Sequence, residues 1–262
     1  MPAPPKVSIL MNCLNGERWL REAIESVQAQ TFQDWELIFW DDKSTDSSWW
    51  TARQMANADP RLKCFRGPGG QTLGMSRTLA AQRAQGDYVA ILDCDDLWKP
   101  QKLALQLEMM TNPALAFCFS DCDIIDEDGQ VTGSAFARTP PPSNGTTLYR
   151  ALLTRPNFML CPTIMFRFDR LCAMSGFRPS FGSAETYDLC VRLAQHDPAA
   201  WTPLRLAQHR RHPGQFNGTG KAAIYKEVLQ VMKEHRSWRH PAQIRREIGL
   251  WGKLAVKTIA HS

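Results

Sequence analysis

The stretch "AILDCDDLWKP", residues 90–100, places Asp93, Asp95 and Asp96 directly after an apolar run. Hard divalent cations take oxygen ligands, and Mg²⁺ is typically held by one or two carboxylates together with substrate phosphates. A compact DxDD suits that chemistry. One carboxylate would hold the ion, another a ribose hydroxyl, and the ion would neutralise charge on a departing diphosphate. The spacing is also that of a solvated acidic turn, so context must decide. A second acidic pair, Asp41 and Asp42, closes another apolar run, "WELIFWDD" at 35–42.

Those carboxylates need elements to position them. "KVSILMNCLN" (6–15) is rich in β-formers and reads as a strand, and 35–42 as a second. In the helix expected over 16–30, Leu20, Ala23, Ile24 and Val27 share one face. "STDSSWWTARQMA" (44–56) has a helix-start signature with Ser44 or Asp46 as N-cap. A strand over 62–67, a helix over 73–86 closed by Gly86 and a strand over 87–93 complete the first part. Strands alternating with helices predict an α/β protein: a central, mostly parallel sheet flanked by helices. Ligands of such sheets sit beyond the carboxyl ends of the strands, where both acidic groups lie.

Beyond Pro100 the pattern predicts a helix over 101–110, a strand over 115–121, a turn at "DEDG" (126–129) and a Pro-rich loop over 137–147. Strand then helix follow over 162–177, and another helix spans 184–196 with Leu189 and Leu193 inward. Residues 209–220 read as a polar loop. Two C-terminal helices are expected, from about 221 to 238 and over 241–260, the latter with Pro241 at its start. Ile244, Ile248, Trp251 and Ala255 share a face of that last helix.

The chain has 262 residues, 44% of them hydrophobic, 22% charged, and a net charge of +5, ordinary for a globular protein with a sizeable core. No apolar run reaches the roughly 20 residues of a membrane span, and no signal peptide is expected. Eight cysteines are scattered without a CxxC pair, which predicts buried, reduced thiols and a cytoplasmic setting rather than a zinc site. From Trp201 onward the chain carries twelve Lys/Arg against three Asp/Glu. Such a basic tail would meet a membrane surface, a phosphorylated carrier or nucleic acid, or would be a solvated helical face.

Other nucleotide and hydrolase motifs are missing. There is no GxxxxGK[ST], and "GPGGQTLG" (67–74) lacks the lysine and does not match GxGxxG. Neither GxSxG nor HExxH occurs.

In this setting "VSILMNCLNGERWLREAIESVQAQTFQDWELIFWDDKSTDSS" resembles the opening of the family 2 inverting glycosyltransferases. "GMSRTLAAQRAQGDYVAILDCDDLWKP", "DEDG", "PTIMFRFDRLCAMSGF" and "HRRHPG" follow in that family's order, so the resemblance covers about residues 7–215. It implies a GT-A type fold, with residues 1–100 as the nucleotide-sugar-binding half and 101–218 as the acceptor-binding half. Residues 219–262 would form a basic helical extension. It further implies sugar transfer, with inversion, from a nucleoside diphosphate sugar, UDP-linked by expectation, with Mg²⁺ or Mn²⁺ as cofactor. Asn15, Gly16 and Glu17 would line the nucleotide pocket. Asp42 would accept from the base, and Arg77 would lie near the nucleotide or diphosphate. Asp95 would contact ribose or metal, Asp96 would hold the metal, and His212 would reach the metal or diphosphate. Asp93 would stabilise the loop.

An inverting transfer needs a carboxylate base for the acceptor hydroxyl. Where the family commonly has an ED pair, this chain reads "ETYDL", so Thr186 replaces the expected acid. Glu185 and Asp188 are the remaining candidates, Asp188 nearly one turn further on. The acceptor would be a glycan or lipid-linked carrier in cell-surface glycan synthesis, with no nucleic acid partner. The basic C-terminus would make a peripheral contact with the cytoplasmic face of a membrane. Two alternatives stay open: a non-catalytic family member that binds nucleotide sugar, and a sugar nucleotidyltransferase.

Overall fold

A computed structural model describes residues 3–142, 147–215, 220–235 and 241–259, without side chains at 221 and 255–259. The elements in chain order are β1 (Val7–Cys13), α1 (Leu20–Gln28), β2 (Trp35–Asp41), α2 (Ser48–Ala58), β3 (Leu62–Arg66), α3 (Leu73–Ala81), β4 (Tyr88–Ile91) and β5 (Leu97–Trp98). They continue as α4 (Lys102–Met109), β6 (Phe117–Ile125), β7 (Val131–Ser134), α5 (Ala135–Arg138), α6 (Leu148–Thr154), β8 (Met165–Arg167), α7 (Phe168–Ala173), α8 (Glu185–His196), β9 (Ala199–Arg210), α9 (Gly220–Glu234) and α10 (Pro241–Ile259). A 3₁₀ turn at Cys161–Thr163 precedes β8.

One sheet runs β3-β2-β1-β4-β8-β6-β9-β5, with β7 paired to β6. The first four strands are parallel, and Val7 stands opposite both Trp35 and Tyr88. In the second half β8 is antiparallel to β4 and β6, while β9 runs parallel to β6. Every residue of β1 and β2 is buried, as expected of strands covered on both faces. Alternate side chains feed two cores. Leu10, Ile38 and Trp40 join Phe117, Phe166 and Leu189 on one side. Ile9, Met11, Leu37 and Phe39 meet Leu20, Ile24 and Val27 of α1 on the other.

Several boundaries differ from the sequence reading. β9 extends through a stretch with no alternating pattern and takes in His209 and Arg210, which were expected in a loop. It accommodates Pro203 because the register slips there, Thr202 facing Ser120 and Arg205 facing Asp121. The two-residue β5 pairs only with β9, so no local signal marks it. Part of the Pro-rich segment is helical in α5, and residues 143–146 lie outside the described residues. α2 begins at Ser48, where Asp46 Oδ1 accepts from the Ser48 N–H at 2.9 Å. The C-terminal helices pack on the body: Val231 and Met232 of α9 belong to the same core as Phe117. On α10 the inward positions are Gln243, Glu247 and Leu254, whereas Ile248 and Trp251 stand exposed. No helix among the described residues is long and apolar enough to cross a membrane.

Candidate active site

The loops leaving β1 and β2 are stitched together. Asn15, with φ of 55°, donates its N–H to Ser44 Oγ at 2.9 Å, and its Oδ1 accepts from the Thr45 N–H at 2.8 Å. The Gly16 N–H reaches Ser48 Oγ at 2.9 Å, and Glu17 Oε2 accepts from the Ser47 N–H at 2.9 Å. Gly16 is required sterically, since a Cβ there would lie 2.6 Å from Cys94 Sγ and 3.0 Å from Cys13 Sγ. Residues 15–17 thus shape a wall, with the Asn15 and Glu17 side chains and the Gly16 N–H committed to the neighbouring loop.

Asp42 is half-buried beside that wall. Burial raises its carboxyl above the usual range, partly offset by the nearby N–H groups of Gln71 and Gly69 and the Ser76 hydroxyl. No donor reaches Asp42 Oδ1 in hydrogen-bonding geometry, and Trp40 Nε1 is likewise buried without a partner. A Cβ at Gly67 would lie 2.8 Å from that indole nitrogen and 3.2 Å from Asp42 Oδ1. An unsatisfied donor and acceptor therefore face one glycine at the carboxyl end of β2, both buried from solvent. Asn12 of β1, which sequence reasoning missed, is 8% exposed and pairs neither its amide oxygen nor its nitrogen.

The acidic stretch divides its members differently from expectation. Asp95 Oδ2 meets His212 Nε2 at 3.0 Å, and the His212 ring packs on Trp19 with centroids 4.3 Å apart. Asp95 and Asp93 keep partly exposed side chains, whereas Asp96 is wholly buried. The Asp96 carboxylate accepts from the Arg210 N–H at 2.8 Å and lies 3.1 Å from His209 Nδ1. Burial pushes Asp96 up to about 6 against the pull of His209. Asp96, expected on the metal, here holds the end of β9 through those contacts. Arg210, also buried, donates to the Asp95 carbonyl at 3.0 Å and to Glu22 Oε1 at 2.5 Å. His209 and Arg210 lie within the "HRRHPG" element and Trp19 within the opening one, but none of the three was singled out for a role.

These donors fit a divalent ion. Asp95 and His212 converge from β4 and β9 with one oxygen and one imidazole nitrogen, a set that suits Mn²⁺ or Mg²⁺ completed by phosphate oxygens and water. No group of three or more His, Cys, Asp or Glu side chains is arranged around a common point among the described residues. The eight cysteines are all free thiols; Cys172 is exposed, the others buried or half-buried.

Arg77, expected near the nucleotide or diphosphate, sits fully buried against the acidic loop. Its Nη2 donates to Asp93 Oδ1 at 2.5 Å, and its Nη1 donates to Glu185 Oε1 and to Thr186 Oγ1. The Thr186 hydroxyl donates in turn to Glu185 Oε1 at 2.9 Å. That leaves Glu185 Oε2 as the oxygen without a partner. Asp188, the other acid considered as base, is wholly buried between Arg178 at 3.1 Å and Arg192 at 2.8 Å. It anchors α8; Glu185 is equally buried, 1% exposed, but holds a single arginine where Asp188 holds two. The α8 N-terminus lacks a side-chain cap of its own. Glu227 of α9 supplies one, accepting from the N–H groups of Gly182, Ser183 and Ala184 at 2.7, 2.9 and 2.8 Å.

Residues 8–174 match the family model described as "Glycosyl transferase family 2". The chain belongs to that family. Over 125 residues it is 35% identical to the putative teichuronic acid biosynthesis glycosyltransferase TuaG of Bacillus subtilis (48% of this chain, 50% of that one). It is 32% identical over 125 residues to the UDP-Glc:alpha-D-GlcNAc-diphosphoundecaprenol beta-1,3-glucosyltransferase WfgD of Escherichia coli (48% and 49%). The matched part of this family 2 chain thus spans about half the length of these two curated relatives. Among solved structures, S. aureus TarS in complex with UDP-GlcNAc superposes with a TM-score of 0.70 at 16% identity, covering 95% of this chain and 71% of that one. The mannosyltransferase PcManGT from Pyrobaculum calidifontis, in complex with GDP-Man and Mn2+, gives 0.68 at 17% identity (97% and 72%). Those likenesses establish the fold, which is GT-A.

Proposed function

We propose that this family 2 protein transfers a sugar, with inversion, from a nucleoside diphosphate sugar to an acceptor hydroxyl in cell-surface glycan synthesis. What supports the reading is that Asp42, Asp93 and Asp95 follow the carboxyl ends of β2 and β4, with His212 on Asp95 and Glu185 tied to Asp93 through Arg77. UDP is the favoured nucleotide, since TarS is described with UDP-GlcNAc and WfgD is named for UDP-Glc. The names of WfgD and TuaG favour a lipid-linked or polymeric glycan acceptor.

In this account the wall of residues 15–17 and the Trp40–Asp42 edge bind and orient the nucleotide. Asp95 and His212 would hold Mn²⁺ or Mg²⁺, which would supply positive charge to the diphosphate. Glu185 is the base: its unpartnered Oε2 takes the proton from the acceptor hydroxyl while that oxygen attacks the anomeric carbon. The anomeric carbon–phosphate oxygen bond breaks, and its electron pair leaves on the diphosphate. Arg77 and Thr186 fix the other oxygen of Glu185, so the carboxylate is preoriented at no cost during the reaction. Thr186 has no basicity to contribute.

A second reading is a nucleotide-sugar binder without turnover, favoured by Thr186 at the usual acid position and by the Arg77 pairing of Glu185. A thermal-shift panel of UDP, GDP and dTDP, each with and without Mn²⁺, tests donor recognition, because a ligand of the native state raises the melting temperature. The account expects one nucleoside diphosphate to give a metal-enhanced shift. No shift with any of them would overturn it.

A further inference from the structure

Beside the reacting centre, the second half of the sheet carries a cavity of about 190 Å³ over β6, β7 and α5. That is room for several groups the size of a water molecule, each of about 30 Å³. Arg138 and Arg211 both line it, together with Thr132, Ser134 and Ile124, and no carboxylate does. The two guanidinium groups are close enough for their charges to repel. Among the described residues neither has an ion pair or a side-chain hydrogen bond. Both are exposed, as are Arg53, Arg83, Arg150 and Arg245, which also lack such partners; what sets Arg138 and Arg211 apart is that they line the same hollow. Two like charges on the rim of one hollow repel weakly through solvent and favour an anion placed between them.

The placement is informative. The Arg211 N–H is pinned to the Ile125 carbonyl at 2.9 Å, and the next residue is His212, the partner of Asp95. The loops assigned to the nucleotide hang instead from β1, β2 and β4. The cavity therefore adjoins the reacting centre on the acceptor half of the sheet. Paired guanidinium groups match phosphate oxygens bidentately, and a hollow without acids does not repel them. We infer that Arg138 and Arg211 form an anion subsite for a phosphate or diphosphate group carried by the acceptor. The inference deepens the proposed function and rests on that reading for the word acceptor. The phosphate could be borne by a lipid or by a soluble polyol, which share this chemistry.

The test is isothermal titration of the full chain, saturated with UDP and Mn²⁺ so that the donor's own diphosphate locus is filled. The probes are dodecyl phosphate below its micelle concentration, glycerol 3-phosphate, and octyl glucoside as the uncharged control. The expected result is binding of at least one phosphate, none of the glucoside, and at least tenfold weakening by Arg138→Gln with Arg211→Gln. Arg138→Lys with Arg211→Lys should retain part of the affinity, and UDP affinity should stay within twofold throughout. Binding of dodecyl phosphate alone assigns a lipid-borne phosphate; binding of both assigns a site open to polyol phosphates. Absence of phosphate binding, or binding that survives the double Gln substitution, overturns the inference. If UDP itself fails to bind while the phosphates do so through these arginines, the donor reading fails and the anion site stands.

Discussion

Arg77 and Glu185, 108 positions apart in sequence, form a buried ion pair that ties α3 to the first residue of α8. Through its other nitrogen Arg77 also holds Asp93 at the end of β4. One guanidinium therefore sets the distance between the acidic loop and the proposed base. Removing one partner of such a pair strands a buried charge, typically at about 3–5 kcal/mol. Arg77→Leu is accordingly expected to lower unfolding free energy by about that much. Urea denaturation would show it, and a loss under about 1 kcal/mol would contradict the pairing.

Asp95, Asp96 and His212 of the acidic site separate by role. Asp95→Asn or His212→Ala should raise the Mn²⁺ concentration needed for UDP binding by about tenfold or more, as loss of a metal contact does. Asp96→Asn should instead cost stability, about 1–3 kcal/mol for a buried acceptor that loses its charge-assisted bonds. It should leave the Mn²⁺ midpoint within a small factor. Calorimetric titration of UDP at graded Mn²⁺ distinguishes these outcomes. Equal Mn²⁺ effects from Asp95 and Asp96 substitutions would return Asp96 to the ion.

Glu227 links the C-terminal helices to the site by capping α8 from α9. Glu227→Ala removes the acceptor of three N–H groups and is expected to cost about 1–2 kcal/mol, the range of a strong N-cap. Because α8 carries Glu185, turnover should fall as well, with Glu227→Gln retaining part of both. Unchanged melting temperature and unchanged turnover in Glu227→Ala would show the cap to be idle.

Lys102 is wholly buried, donating to Gln106 Oε1 at 2.5 Å with its ammonium 4.0 Å from the Trp98 ring centroid. Burial pushes it from 10.5 down to about 7. Between those values the unfolded chain binds a proton that the folded chain does not, so this residue makes stability rise with pH across that window. Below about 7 both states are protonated and the contribution is at its least favourable. Lys102→Met should remove the slope and raise stability at pH 6.5 by roughly 1–3 kcal/mol, the scale for replacing a buried charge by a hydrophobe. Parallel urea titrations at pH 6.5 and 9.5 would test it. A difference between the two pH values that is the same in mutant and wild type would refute the assignment.

The exposed pair Ile248 and Trp251 on α10, with exposed Arg245 and Lys253 nearby, has the composition of an interfacial helix. Co-sedimentation with anionic vesicles at low salt is expected, and Ile248→Ser with Trp251→Ser should abolish most of it. Equal pelleting of wild type and double mutant would remove this contact from the account.

Much of the first half was legible because its apolar runs and helical faces are local. β1, α1 and β2 appear where periodicity places them, and Leu20, Ala23, Ile24 and Val27 are all buried. β5 and β9 were not legible, because their pairing partners lie across the chain and Pro203 breaks the strand pattern. The acidic stretch was found, but a sequence cannot say which carboxylate points outward. Asp96 turned inward only because Arg210 and His209, 114 and 113 positions away, meet it there. Likewise nothing local announced that Asp188 would be held by Arg178 and Arg192 and Glu185 by the distant Arg77.

The central claim is catalysis by Glu185 on a nucleotide sugar. The most direct measurement is release of nucleoside diphosphate from a panel of UDP-, GDP- and dTDP-sugars with Mn²⁺, comparing wild type with Glu185→Gln. The account predicts turnover of at least one donor, and a kcat about 100-fold or more lower in the mutant, the usual scale for a lost general base. Donor affinity should be unchanged. Equal turnover by wild type and Glu185→Gln, or no turnover of any donor by the wild type, would contradict it.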